Sequence, residues 1–509
     1  MLLTIALLGV VLALAYHFYH NTYTYWARKG VPYEPPLPVI GNMKGIGSKY
    51  HFRDINQRIY DQFKGKAPLA GMFIFVRRVA MIIDLDLIKQ VLIKDFNYFQ
   101  DRGAFNNPRD DPLTGHLFAL EGEAWKSMRH KLSPVFTSGK IKHMSNVIVE
   151  VSHHLVDTMD TTVKAAAVDG GEVEIKELCA RFTTDVIGSC AFGLECNSLK
   201  DPSAEFRAMG RALFERRRHP QLIQAFLFTN AKLARTLRMK VLPDDLTEFF
   251  LSTVRNTVDY RKKNNIKRND FIDQLIQLKA ENEEAAQKGK GIDLSHGLTL
   301  EQMAAQAFVF FVAGFETSSS TMSFCLYELA LQQDIQDRVR EEIKSVLSKT
   351  EGGEISYDAV AEMTYLEQVL AETLRKHPIL PHLIRETSRD YKVPNMDVVI
   401  ETGTQLLIPV HNIHHDPEIY PQPEKFDPSR FEPEEAKSRH PMAYLPFGDG
   451  PRNCIGLRFG KIQSKIGLVA LLHNFKFSVS KRTEVPLILG TKSFTLGTEH
   501  GIHLKVERV

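Results

Sequence analysis

The stretch Phe447-Gly-Asp-Gly-Pro-Arg-Asn-Cys-Ile-Gly456 decides how the rest of the chain is read. Gly448, Gly450 and Gly456 permit backbone conformations closed to other residues, and close approach to a flat ligand. Pro451 stiffens the loop, and a helical period from about 457 to 473 follows it. Cys454 thus lies among amides near a helix N-terminus and beside Arg452, a setting that favours the thiolate. A thiolate is a nucleophile or a metal ligand. A nucleophile wants a base, and none is close in sequence. Taken alone, the loop fits a ligand-bearing thiolate and a buried thiol in a glycine turn equally well.

The other four cysteines stand at 179, 190, 196 and 325. The total of five is odd and no pair has C-x-x-C spacing, so neither a disulfide framework nor a Cys-rich zinc site is expected. They read as buried thiols of a reducing compartment. With 64 basic and 61 acidic residues the net charge is only +3, too balanced for a general nucleic-acid binder. At 43% hydrophobic the chain of 509 residues is too apolar to be disordered. The basic run at 261–268 reads as a solvated helix end. The histidines at 411, 414 and 415 have no acidic or Cys partner at ligand spacing and read as structural.

Leu2 to Tyr16 are almost entirely apolar, and Phe18, Tyr19, Tyr23, Tyr25 and Trp26 extend the run with interface aromatics. Arg28 and Lys29 follow and no basic residue precedes, which puts the body in the cytosol. The rival is a cleaved signal peptide ending at Ala13-Leu14-Ala15; the missing basic start and the sparse cysteines argue against it. Prolines at 32, 35, 36 and 38 make a stiff extended linker. The expected layout is an anchor with its interface at 1–27, a basic, proline-rich hinge at 28–41 and a catalytic body at 42–509.

Within the body, 68–84 reads as a hairpin around Arg77-Arg78. Helical periods cover 121–132, 175–192, 203–217, 244–263, 299–331, 333–348 and 364–376. Strand-like runs return at 391–411 and 475–509. Thr299-x-x-Gln302 is a capping box for the long central helix, about 50 Å if it reaches 331. The fold class is therefore mainly α with minor β sheets drawn from both ends of the sequence.

The cysteine loop matches F-x-x-G-x-R-x-C-x-G at every defined position and so resembles the haem-binding signature of the cytochrome P-450 superfamily. Four further motifs follow that family's order: Trp125-x-x-x-Arg129, Ala313-Gly-Phe-Glu-Thr317, Glu372-Thr-Leu-Arg375 and Phe426-Asp-Pro-Ser-Arg-Phe431. The finer resemblance is to microsomal insect enzymes of the family-six type. Its segments are YWARKGVPYEPPLPVIGN, RDDPLTGHLFALEGEAW, FVAGFETSSSTMSFCLYELA and LPFGDGPRNCIGLRFG.

The resemblance implies the triangular prism of about a dozen helices of that fold, with haem b as cofactor. Cys454 is then the axial ligand of the iron, in a loop with Phe447 and Gly448. Arg129, Arg385, Arg452 and Trp125 are implied as propionate partners, Ala313 and Gly314 as the small residues facing haem and dioxygen. Thr317 and Glu316 are the implied proton-delivery pair, and Glu372, Arg375 and Arg430 a structural triad. Phe105, His116, Leu117, Phe118, Phe308, Phe311, Leu380, Leu383 and Phe494 are implied to line an apolar cavity for lipophilic compounds. No G-x-G-x-x-G lies between a strand and a helix, so the implied NADPH-driven monooxygenase needs a separate reductase; the resemblance implies NADPH–cytochrome P-450 reductase, in some cases with cytochrome b5. Lys126, Arg129, Lys131 and Lys140 are expected to steer that acidic partner. The implied place is the endoplasmic reticulum membrane, cytosolic side. The implied substrates are xenobiotics such as insecticides and plant toxins. An endogenous hormone or fatty acid, or a reductase-independent haem-thiolate isomerase, is the alternative. The acid–alcohol pair Glu316-Thr317 argues against the isomerase, as against a haem-based carrier or sensor.

Overall fold

In the computed structural model, which describes residues 1–166, 171–268, 270–287 and 298–509, everything is arranged about one helix. Leu300–Leu331 opens on the expected capping box: the Gln302 amide donates to Thr299 Oγ1 (3.2 Å) and the Thr299 amide to Gln302 Oε1 (2.9 Å). Two of the amides orphaned at a helix start are satisfied this way. The helix is apolar nearly all round, so it is buried rather than half-exposed. Ile175–Ile187, Asp244–Asn264 and Leu457–Asn474 pack directly on it. Leu457–Asn474 is the helix that leaves the cysteine loop, and its other side packs on Ser138–Ala166.

Among the described residues of the body, Ser138–Ala166 is one of three helices longer than ten residues that the periods above do not mark, with Phe52–Phe63 and Phe271–Gln287. Its Val147, Ile148, Val149 and Val151 are β-branched, which lowers helix propensity. Packing of Ile141, Met144, Ile148 and Leu155 overrides that local preference. The run at 261–268 is less solvated than its composition implies. Arg261 is buried and clamped by Asp270 and Asp273.

A four-stranded sheet draws on distant parts of the chain. Its order is Leu69–Ile74, Arg77–Ile82, Gln405–Ile408, Leu383–Glu386. The hairpin turns at Phe75-Val76, so Arg77 and Arg78 begin its second strand rather than forming its turn. Leu383–Glu386 is a strand missing from the sequence reading, too short to show a period. A three-stranded sheet joins Glu172–Glu174, His503–Arg508 and Phe475–Val479.

The helix Leu2–Tyr23 has a mean hydropathy of 2.1 over its best window and is unburied throughout that window. It is long and apolar enough to cross a membrane. Beyond it the chain is pinned to the body. Trp26 is fully buried against Gly71, where a Cβ would collide with the indole, and its Nε1 donates to the Met72 carbonyl (3.2 Å). The proline segment is extended but docked: the Gly71 amide donates to Pro32 (2.8 Å) and Glu34 pairs with Arg58 (2.7 Å).

Candidate active site

The cysteine loop is held from three sides. Within it, the Cys454 amide donates to the Phe447 carbonyl (2.9 Å) and the Asn453 amide to the Gly450 carbonyl (3.1 Å). Gly450 has φ 74°, and a Cβ there would strike the Leu92 carbonyl, so only glycine fits. From the helix Gly122–Leu132, Arg129 donates twice into the loop, to Asn453 O (2.9 Å) and Asn453 Oδ1 (2.8 Å). From below, Leu445 donates its amide to His414 Nε2 (2.9 Å).

That histidine links the loop to the Glu372 network. Its Nδ1 faces the Arg375 carbonyl (3.2 Å), and Arg375 Nη1 donates to the His414 carbonyl (3.0 Å). Arg375 also forks onto Glu372 with bonds of 2.7 and 2.9 Å, both side chains fully buried. Glu372 accepts the Asp427 amide (2.9 Å) as well. Arg430 stands at its edge, 3.5 Å from Glu372, with firmer bonds to the Pro421 and Gln422 carbonyls.

Above the loop lies a cavity whose wall includes Cys454, Phe447, Gly448, Arg452, Arg385, Arg102, Phe118, Ala313, Thr317, Leu380, Leu383 and Phe494. Cys454 keeps open surface because it lines this cavity, although protein surrounds it as densely as an interior position. Burial pushes the thiol's pKa up, while the Gly456 amide and the charges of Arg129 and Arg102 pull it down. Burial prevails in the protein alone. The loop by itself therefore does not yield the thiolate that its sequence setting suggests.

The opposite edge is rich in positive charge. Arg385 and Arg452 are each 2% exposed, and burial first, then mutual repulsion, pulls Arg385 down to about 9. Burial likewise takes Arg452 to about 10, with Asp101 and Glu121 opposing. Arg102 is lowered far more, by burial and then by Arg452 and Arg385. It donates to the Phe118 carbonyl (3.0 Å) and the Arg452 carbonyl (3.1 Å). Sequence reasoning missed it because it belongs to none of the motifs.

Among the described residues, three buried donors in this region have no protein partner: Trp125 Nε1, Arg385 Nε and Arg452 Nε. Buried N–H groups are rarely left unmade. A guanidinium cannot shed its charge, so this edge calls for an anion. A ligand with two carboxylates, an apolar plane and a cation for a thiolate meets all three demands, and haem is such a ligand. The residues fit it.

The central helix supplies the other face. Ala313 lines the cavity, and the Thr317 hydroxyl donates back to the Ala313 carbonyl (2.5 Å). Gly314 does not face the cavity: a Cβ there would collide with Ile187, so its smallness lets two helices approach. Glu316 also turns away from the cavity wall and pairs with Lys176 Nζ (3.0 Å). The expectation that Gly314 faces haem and dioxygen is corrected by helical geometry, since it points about 100° away from its neighbour Ala313.

The expected pocket residues divide. Phe118, Leu380, Leu383 and Phe494 are on the wall. Phe105 is buried instead with Leu227 and Ala234 in a separate small core. Phe308 and Phe311 pack on Phe250 with ring centroids 5.1 and 5.4 Å away. His116 lies behind Phe118 and Phe308, and burial lowers its pKa to about 4. Leu117 is buried in the main core. An aromatic stripe at helical spacing serves core packing here. Of the expected docking cations, Lys126 is exposed and paired with Glu123 (2.6 Å), whereas Arg129 is committed to Asn453.

The profile of the family described as Cytochrome P450 matches residues 31–505. The chain is 75% identical over 509 residues to probable cytochrome P450 6a14 of Drosophila melanogaster, covering 100% of both chains. It is 48% identical to cytochrome P450 6a2 of the same fly, again over 100% of both. It is also 48% identical to cytochrome P450 6A1 of Musca domestica, covering 99% of this chain and 97% of that one.

Proposed function

This chain belongs to the cytochrome P450 family, and from that premise we propose that it oxidises lipophilic xenobiotics at the membrane, with electrons from NADPH by way of a separate reductase. The reading rests on one observation above all. A thiol, a cluster of cations with unmade bonds and an apolar wall converge on one cavity.

Haem bound there supplies a thiolate-ligated iron that activates dioxygen for insertion of one oxygen atom. The chain's residues do the rest. Cys454 holds the iron, and the Gly456 amide and Arg129 moderate the charge on its sulfur. Arg102, Arg385, Arg452 and Trp125 hold the carboxylate edge. Arginine suits that task because its fork matches a carboxylate. Thr317 holds a proton on the cavity side of the central helix. Breaking its bond to Ala313 O frees its hydroxyl for that role. Glu316 acts one step back, exchanging protons with Lys176 and through it with solvent, since Lys176 is 27% exposed.

The exposed helix Leu2–Tyr23 supports tethering to the endoplasmic reticulum membrane, with the body on the cytosolic side. A tether concentrates the enzyme where lipophilic substrates partition and where a membrane-bound reductase is found. The test is turnover of a lipophilic probe such as 7-ethoxycoumarin by the full-length protein in microsomes. Product is expected only with NADPH and added NADPH–cytochrome P450 reductase. Equal product without the reductase contradicts the proposal.

A further inference from the structure

We propose that His382 is the polar anchor of the cavity: its imidazole hydrogen-bonds an oxygen carried by otherwise lipophilic substrates, and so favours oxygenated compounds over hydrocarbons of the same shape. The inference rests on the monooxygenase reading above and narrows its substrate class.

His382 lies between the helix Thr364–Lys376 and the strand Leu383–Glu386, on the cavity wall beside Leu380 and Leu383. It is 5% exposed. Its ring is fixed by edge-on contacts with Phe52 (4.8 Å, 71°) and Phe494 (5.3 Å, 86°). Nδ1 is sealed from solvent, and among the described residues neither ring nitrogen has a hydrogen-bond partner. A nearby histidine shows the contrast. His51 accepts the Arg53 amide at Nδ1 (3.0 Å) and meets the Ser493 carbonyl at Nε2 (2.9 Å), pinning the turn that carries Phe494.

Several other polar groups of the wall have tasks. Thr317 bonds Ala313, Lys461 pairs with Glu367 (2.6 Å), and the arginines form the cationic edge. A leucine at 382 fills the gap between two aromatic rings without burying an unmade bond. A rigid, neutral imidazole among apolar residues instead meets a hydroxyl, ether or carbonyl at no cost in ring entropy. Burial lowers its pKa to about 3, with His51 adding, so the ring stays neutral and takes either donor or acceptor.

The test is a spectral binding titration of the haem-loaded protein with 4-phenylcyclohexanol and phenylcyclohexane. Wild type is compared with His382→Phe and His382→Gln. The ratio of the two Kd values is expected to fall about tenfold in His382→Phe, with the hydrocarbon's own Kd within about twofold of wild type. His382→Gln is expected to restore part of the ratio. An unchanged ratio, or a parallel loss of both affinities, overturns the anchor. If His382→Phe does not hold haem, His382→Leu takes its place with the same expectation. A reduced carbon-monoxide spectrum of each protein separates the two levels. Loss of the red-shifted band in wild type overturns the haem-thiolate reading, whereas an intact band with an unchanged ratio overturns the anchor alone.

Discussion

Among the described residues, Arg102 donates to two backbone carbonyls and to no carboxylate, so its charge is left for a ligand. It sits over the Phe118 ring at 4.3 Å, which orients the guanidinium but does not neutralise it. Replacing Arg102 with Ala is expected to speed haem loss about tenfold, one charge-assisted bond's worth. Transfer of haem to excess apomyoglobin measures this, and an unchanged rate contradicts the assignment. At this scale the sequence was uneven. Cys454, Arg129 and Glu372 lie in motifs whose spacing is visible without a structure. Arg102, His414 and His382 owe their roles to packing between distant segments, which no local spacing encodes. Gly314 shows the reverse: its motif was legible, but which neighbour it faces depended on the helix across from it.

The central helix is tied down at its far end by Glu328, whose side chain is 1% exposed. Glu328 accepts from His377 (2.7 Å) and Lys376 (3.1 Å), both at the end of the helix Thr364–Lys376. Burial alone raises its pKa, but the His377 bond and the charges of His377 and Lys376 outweigh that and leave it below the ordinary range. A carboxylate depressed in the folded state binds a proton more readily when unfolded. Its contribution is therefore complete above the unfolded value of about 4.5 and is lost as pH falls through the folded one. Glu328→Gln is expected to cost about 3 kcal/mol at pH 7. The gap in melting temperature from wild type is expected to close between about pH 4.5 and the folded value. A gap of equal size at pH 7 and at pH 3.5 contradicts this. Most helices were legible because one face is buried, as the i, i+3, i+4 period requires. Ser138–Ala166 was not, since β-branched residues on a packed helix look like a strand until its neighbour is known.

Across the whole molecule, the apolar helix and the body meet at Tyr23 to Trp26. Trp26 fills the space left by Gly71, and Tyr23 packs edge-on to Phe73 at 5.2 Å. Removing residues 2–22 is expected to shift the protein from the membrane pellet to the soluble fraction with its melting temperature unchanged. Removing residues 2–30 takes Trp26 as well and is expected to cost about 3–5 kcal/mol. Equal stability of the two truncated forms contradicts the packing account. The central claim is that the cavity above the cysteine loop is a haem site with Cys454 as the iron's ligand. The measurement closest to that claim is the reduced carbon-monoxide difference spectrum of the membrane-expressed protein, wild type beside Cys454→Ala. The account predicts a strongly red-shifted Soret band in wild type and none in the variant. A folded wild type without the band, or the same band in Cys454→Ala, contradicts it.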